Sequence, residues 1–160
     1  MATLAEGDVT GAAALAEEAV TAGRDSGSLA ALRFDLMLSG VTALERRDPR
    51  SAADRYREAL TVCRDTGQRH EALNCLEGLG AAAHLAGDRL RAARLFGAAR
   101  ALLNAGGLHP EPGADRDCYG RHLAALRSAL AGEVFQAEWA VGRAMTFDEA
   151  VAHALEPATV

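Results

Sequence analysis

The chain contains no lysine, and all 17 of its basic residues are arginines. That absence removes a P-loop of the usual kind, a Schiff-base site and a kinase-type phosphate anchor, because each depends on an ammonium group at a fixed place. Aromatic residues make up only 4% of the chain and β-branched ones are few, which leaves little reason for a sheet. The three cysteines, Cys63, Cys75 and Cys118, are odd in number and widely spaced, so they do not form a disulfide framework and fit a reducing cytoplasm. The four prolines, Pro49, Pro110, Pro112 and Pro157, leave room for long helices between them. No uncharged apolar run approaches the length of a membrane span, and Met1 to Asp8 lacks the basic stretch and apolar core of an export signal. The expectation is a cytoplasmic protein with no membrane partner.

What remains is a helix-forming mixture. Alanine and leucine dominate, with arginine and glutamate as the main charges. A length of 160 residues suffices for one domain without metal or disulfide support. The formal charge of -5 argues against a nucleic-acid surface, which needs a net basic patch. Local groups such as Arg46, Arg47 and Arg50, or Arg89, Arg91 and Arg94, read as solvated faces paired with nearby acids.

Sliding the chain against itself reveals a period of 40 residues. Asp8, Asp48 and Asp88 coincide, followed by Ala12, Ala52 and Ala92, then Ala19, Ala59 and Ala99, then Gly27, Gly67 and Gly107. Ala16, Tyr56 and Phe96 share a further register. Each aspartate stands where a helix N-cap is needed, Pro49 suits the first turn, and each closing glycine suits a left-handed helix end. The expected helices run over about 28–46 and 69–86 as first members of hairpins, and about 9–22, 49–65 and 89–105 as second members. Gly40 and Gly80 lie mid-helix, where glycine costs about 1 kcal/mol relative to alanine, so they imply close approach of a neighbour. Ala52 and Ala92 are expected to face them, with Tyr56 and Phe96 filling the gap between hairpins.

Leu36, Gly40, Ala52, Tyr56 and Ala59, and again Leu76, Gly80, Ala92, Phe96 and Ala99, resemble the tetratricopeptide pattern of bulky, small, small, aromatic and small residues. The unit lacks the usual closing proline and exceeds the common length of about 34 residues, so it is similar to a longer-helixed relative. The resemblance implies an all-α, right-handed superhelix of tetratricopeptide-like hairpins over residues 1–107, the first hairpin incomplete, with residues 108–160 forming a loop and C-terminal capping helices in the same unit.

In that tail, residues 106–114 read as a loop and Asp115 as the cap of a helix with an apolar stripe of Tyr119, Leu123, Leu126 and Leu130. Gly132 is expected to end it, a short helix carrying Phe135 and Trp139 to follow, and Thr146 with Glu149 to form a capping box for a last helix bearing Phe147, Val151 and Leu155. The ending from Trp139 to Leu155 resembles the C-terminus of large actinobacterial ATP-binding transcriptional regulators of the STAND type. In those proteins a helical-repeat sensor follows a DNA-binding module and a nucleotide switch. The ATP and DNA sites do not come with the resemblance, since their regions are absent from this sequence. Met1 to Gly7 align with only the last turns of a first helix, leaving Val9, Leu15 and Val20 short of cover, so a longer natural chain or a partner is expected to supply it.

Candidate chemistry is thin. Gly78, Gly80 and Ala83 fit a G-x-G-x-x-A, but no β-rich strand precedes them and the repeat already accounts for Gly80. Cys118 and His122 stand four apart, with His109 upstream, yet no second ligand pair accompanies them. His70-Glu71 lacks the second histidine of a zinc-protease helix, and there is no G-x-S-x-G elbow. No enzyme, cofactor or metal is expected. The better candidate is the groove lined by the first helices. The tetratricopeptide resemblance places Phe34, Met37 and Val41 there in the middle repeat, and Asn74, Glu77, Ala81 and His84 in the third. Such a groove can take an amphipathic helix or an extended peptide, or the same residues can pack against the chain's own helices. Two functions follow. One is a protein-interaction or sensor scaffold of a multidomain transcriptional regulator, with a peptide, a protein or upstream domains of its own chain as partner. The other is a receptor that holds an apolar metabolite in the groove.

Overall fold

A computed structural model describes residues 2–107 and 114–157, and all of its regular structure is helical. The order is α1 (Ala2–Ser26), α2 (Leu29–Glu45), α3 (Pro49–Asp65), α4 (Arg69–Leu85), α5 (Arg89–Ala105), α6 (Ala114–Ala129), α7 (Gly132–Arg143) and α8 (Phe147–Leu155). Helices α1 to α5 pack in succession, each along the next, as an all-α helical repeat. Among the described residues no helix is long and apolar enough to cross a membrane.

The turns explain the regularity. Helices α2 to α5 are each 17 residues long. A residue with positive φ falls every twentieth position, at Gly27 (68°), Arg47 (58°), Gly67 (71°), Gly87 (88°) and Gly107 (63°). The 40-residue period is thus two equal modules. At Arg47 the amide donates to Leu44 O and the next amide, of Asp48, donates to Ala43 O, both at 2.9 Å. This paired closure satisfies the last carbonyls of the helix. Gly87 and Asp88 repeat it on His84 O and Ala83 O. Asp48 and Asp88 then cap the following helices by accepting from the amides of Ser51 (3.0 Å) and Arg91 (3.2 Å). The bond from Ser51 holds the Asp48 carboxyl below the usual carboxylate range.

The start of the chain departs from expectation. Asp8 is no N-cap, because α1 runs unbroken from Ala2 and Asp8 lies in its second turn. Val20 is fully buried, whereas Leu15 is 67% exposed; the side chain of Val9 lies outside the described residues.

The C-terminal helices do not act simply as an end cap. Helix α7 follows α5 in the stack, so α6 is looped out of the packing order. The α5–α7 contact is close enough that a Cβ on Gly97 would stand 2.5 Å from Trp139 O, and one on Gly142 would overlap the backbone of Arg94. Helix α8 folds back on α5, α4 and α3. It begins with the expected Thr146–Glu149 capping box. Its end is held by the buried Arg91, whose guanidinium donates to the carbonyls of His153 (2.8 Å), Ala154 (3.3 Å), Glu156 (2.7 Å) and Pro157 (3.3 Å). Helix α6 ends at Ala129, and Gly132 opens α7 instead of closing α6; Asp115 lies within the first turn of α6.

Candidate functional site: a groove part-filled by the chain's own helix

Helix α6 lies over α4, touching α2 and α5 at its sides, so it occupies part of the groove that the first helices line. The residue that joins the two layers is Tyr56 on α3. Its ring sits between α2 and α4 at points where both carry glycine. A Cβ on Gly40 would meet ring carbons at 2.7 Å, and one on Gly78 would overlap the ring more deeply still. The atoms nearest to a Cβ on Gly40 are therefore those of the Tyr56 ring, and those nearest to one on Gly80 belong in the same way to Phe96, at 3.0 Å. Tyr56 thereby brings its hydroxyl to the Tyr119 hydroxyl of α6, 2.8 Å away, with the rings edge to face at 6.2 Å. Both tyrosines are fully buried, and burial pushes both phenols well above their ordinary range.

The polar anchors of α6 fall on the residues that sequence reasoning assigned to the third-repeat groove. Glu77, fully buried, is paired with Arg116 of α6 and, at 2.6 Å, with Arg100 of α5. The Arg100 Nε hydrogen is not aligned for a hydrogen bond, so that contact is an ion pair alone. Arg116 also donates to Asn74 Oδ1. A buried carboxylate held by two guanidiniums is compensated, and it becomes costly only if one of them leaves. His84 meets His122 of α6 edge to face at 5.8 Å. Burial is the leading cause that lowers the pKa of each; Arg89 and Arg47 add to it at His84, and the His84 ring at His122. Ala81 is buried. Asn74, Glu77 and His84 thus engage the chain's own helix, Glu77 and Ala81 are buried, and Asn74 and His84 are half-buried.

The middle-repeat group behaves otherwise. Phe34 is 65% exposed and Leu38 47%, while Met37 and Val41 are half-buried. With Asp115 and Tyr119 of α6 they bound an open apolar cavity of about 280 Å³. Leu38 was missed by sequence reasoning. The signal was its register, since Leu38 stands where the next repeat has Gly78.

The other candidates separate. Gly78 and Gly80 lie inside α4 and are accounted for by Tyr56 and Phe96, so the glycine pattern is a packing device with no strand before it. Cys118 is buried, and burial pushes its thiol up to about 12, with Glu45 beside it adding to the shift. His122 turns to His84, and His109 lies outside the described residues. Cys63 and Cys75 are buried and form no disulfide. Among the described residues no three histidine, cysteine or acidic side chains gather as a metal would need.

No protein-family model matches the chain, and no curated protein or solved structure gives a significant match to it.

Proposed function

We propose that the chain is a protein-interaction and sensor segment that holds an amphipathic helix along α2, in a binding and not a catalytic role. The observation that carries this reading is α6. The groove already holds one amphipathic helix of its own, seated by a tyrosine and an arginine, and the space beside it is open, apolar and lined by Phe34, Met37, Leu38 and Val41. A helix in that space would bury apolar area worth about 25 cal/mol per Å², with Met37 adapting to its shape.

The resemblance of the repeats and of the Trp139–Leu155 ending to actinobacterial ATP-binding regulators supports placing this segment as the sensor part of such a protein. Its partner would then be another domain of the regulator or a protein that controls it. A second reading, an apolar metabolite in the same groove, is supported by the cavity's apolar lining.

Selection of helical peptides from a random library on the immobilised chain tests the first reading. The expected result is a set of binders with an apolar i, i+3, i+4, i+7 face, each weakened at least about tenfold by Phe34→Glu or Met37→Glu. Failure to select any helix, or binders indifferent to both substitutions, would contradict it.

A further inference from the structure

A second cavity, of about 240 Å³, lies between α3, α5, the end of α4 and α8, and the repeat itself shows how unusual it is. Forty residues earlier in register lies its counterpart, a space of only about 60 Å³. There Glu17 fills the gap, accepting from the Ser39 hydroxyl at 2.9 Å and pairing with Arg55. In the larger cavity those three positions are Arg57, Leu79 and Leu95. The internal polar cluster has been exchanged for a cation and two apolar side chains, and among the described residues no acid fills the space as Glu17 does in the smaller one.

The lining of the larger cavity has a consistent chemistry. Its walls are aliphatic, chiefly Leu79, Ala82, Ala83, Leu95 and Ala154. Arg57 has its Nε buried without a hydrogen-bond partner, and its only acid among the described residues, Asp54, is a loose 3.5 Å from Nη1. A buried guanidinium donor left unpaired is expensive, so it marks a place for an acceptor. Arg91, which also lines the cavity, has its Nη1 and Nη2 committed to the carbonyls at the end of α8, so it contributes chiefly charge. Around the cavity stand Arg50, Arg57 and Arg91 against Asp54 and Asp88. That leaves one net positive charge, suited to a monoanion, while the two aspartates oppose a phosphate dianion.

We infer that this cavity is a binding site for a small aliphatic carboxylate, its carboxylate on Arg57 and its hydrocarbon body between Leu79 and Leu95. The volume equals roughly eight waters at ~30 Å³ each, enough for a medium-length chain and too small for a bulky cofactor. This site is separate from the α2 groove and does not depend on the helix-binding reading.

Titration calorimetry of the whole chain with octanoate, below its micellar concentration, tests the assignment, with octylammonium and octyl phosphate as comparisons. Octanoate is expected to saturate a single site, to bind more tightly than octyl phosphate, and to leave octylammonium without measurable heat. Arg57→Gln is expected to weaken octanoate about tenfold or more, the usual scale for a lost charge-assisted hydrogen bond. Ala83→Leu, which narrows the cavity and keeps the charge, is expected to weaken it as well. Melting curves of both variants without ligand check that they are folded. Absence of saturable octanoate binding to the unmodified chain, equal binding of octylammonium, tighter binding of octyl phosphate, or an affinity unmoved in a folded Arg57→Gln protein would each overturn the assignment.

Discussion

At the scale of single residues, the structure turns on what surrounds Tyr56. The sequence made its size and its glycine neighbours legible, because Tyr56 and Gly40 recur as Phe96 and Gly80. It also carried an unused signal, namely that only one of the two aromatics bears a hydroxyl. A fully buried hydroxyl needs a partner, and the only other tyrosine in the chain is Tyr119. Removing one member strands the other. Tyr56→Phe or Tyr119→Phe alone is therefore expected to cost about 1–3 kcal/mol, the penalty of an unsatisfied buried polar group. The double variant should lose less than the sum of the two single losses. Urea denaturation of the four proteins measures the coupling, and additive losses would mean that the two hydroxyls do not depend on each other. The left-handed Arg47 was less legible, since its repeat mate is Gly87 and only the structure shows that the turn recurs every 20 residues.

At the scale of elements, α2, α3 and α5 could be read almost to the residue because each carries its own end signals: aspartate or serine at the start and a left-handed residue after the end. The place of α6 could not be read. Its stripe of Tyr119, Leu123 and Leu126 states that one face is buried but not against what, and the connection at 106–114 leaves both the open end and the groove within reach. Gly97 and Gly142 are the residues that let α7, and not α6, approach α5 backbone to backbone. The α6 contact also carries a pH dependence. Burial is the main cause lowering the pKa of His84 and His122, and of His153 at the end of α8. With folded values below the unfolded value of about 6.5, the unfolded chain binds more protons as pH falls through that value, so stability decreases from there downward until the folded values are passed. Melting temperature should change little above pH 7.5 and decline between about 6.5 and 5. Replacing His84 and His122 together with glutamine should flatten part of that decline, and a double variant with the same slope as the unmodified chain would remove these two histidines from the account.

At the scale of the whole molecule, the same architecture is used three times with different fillings. The groove over α4 holds the chain's own helix, the groove along α2 is open, and the space between α3 and α5 is enlarged where its repeat mate is filled by Glu17. Sequence reasoning found the groove through the register of the first helices, and it placed Phe34, Met37 and Val41 at its open part. It could not tell that Asn74, Glu77, Ala81 and His84 were already taken, because the helix that covers them comes from outside the repeat. The central claim is that the open part along α2 is a helix-binding surface. Methyl NMR of the chain labelled at methionine, leucine and valine, titrated with a library-selected helical peptide, tests it most directly. The account predicts that Met37, Leu38 and Val41 shift together and saturably, and that Phe34→Glu abolishes the shifts while the resonances of Leu79 and Leu95 stay in place. Shifts centred on Leu79 and Leu95, or a bound peptide that leaves the α2 methyls unmoved, would contradict it.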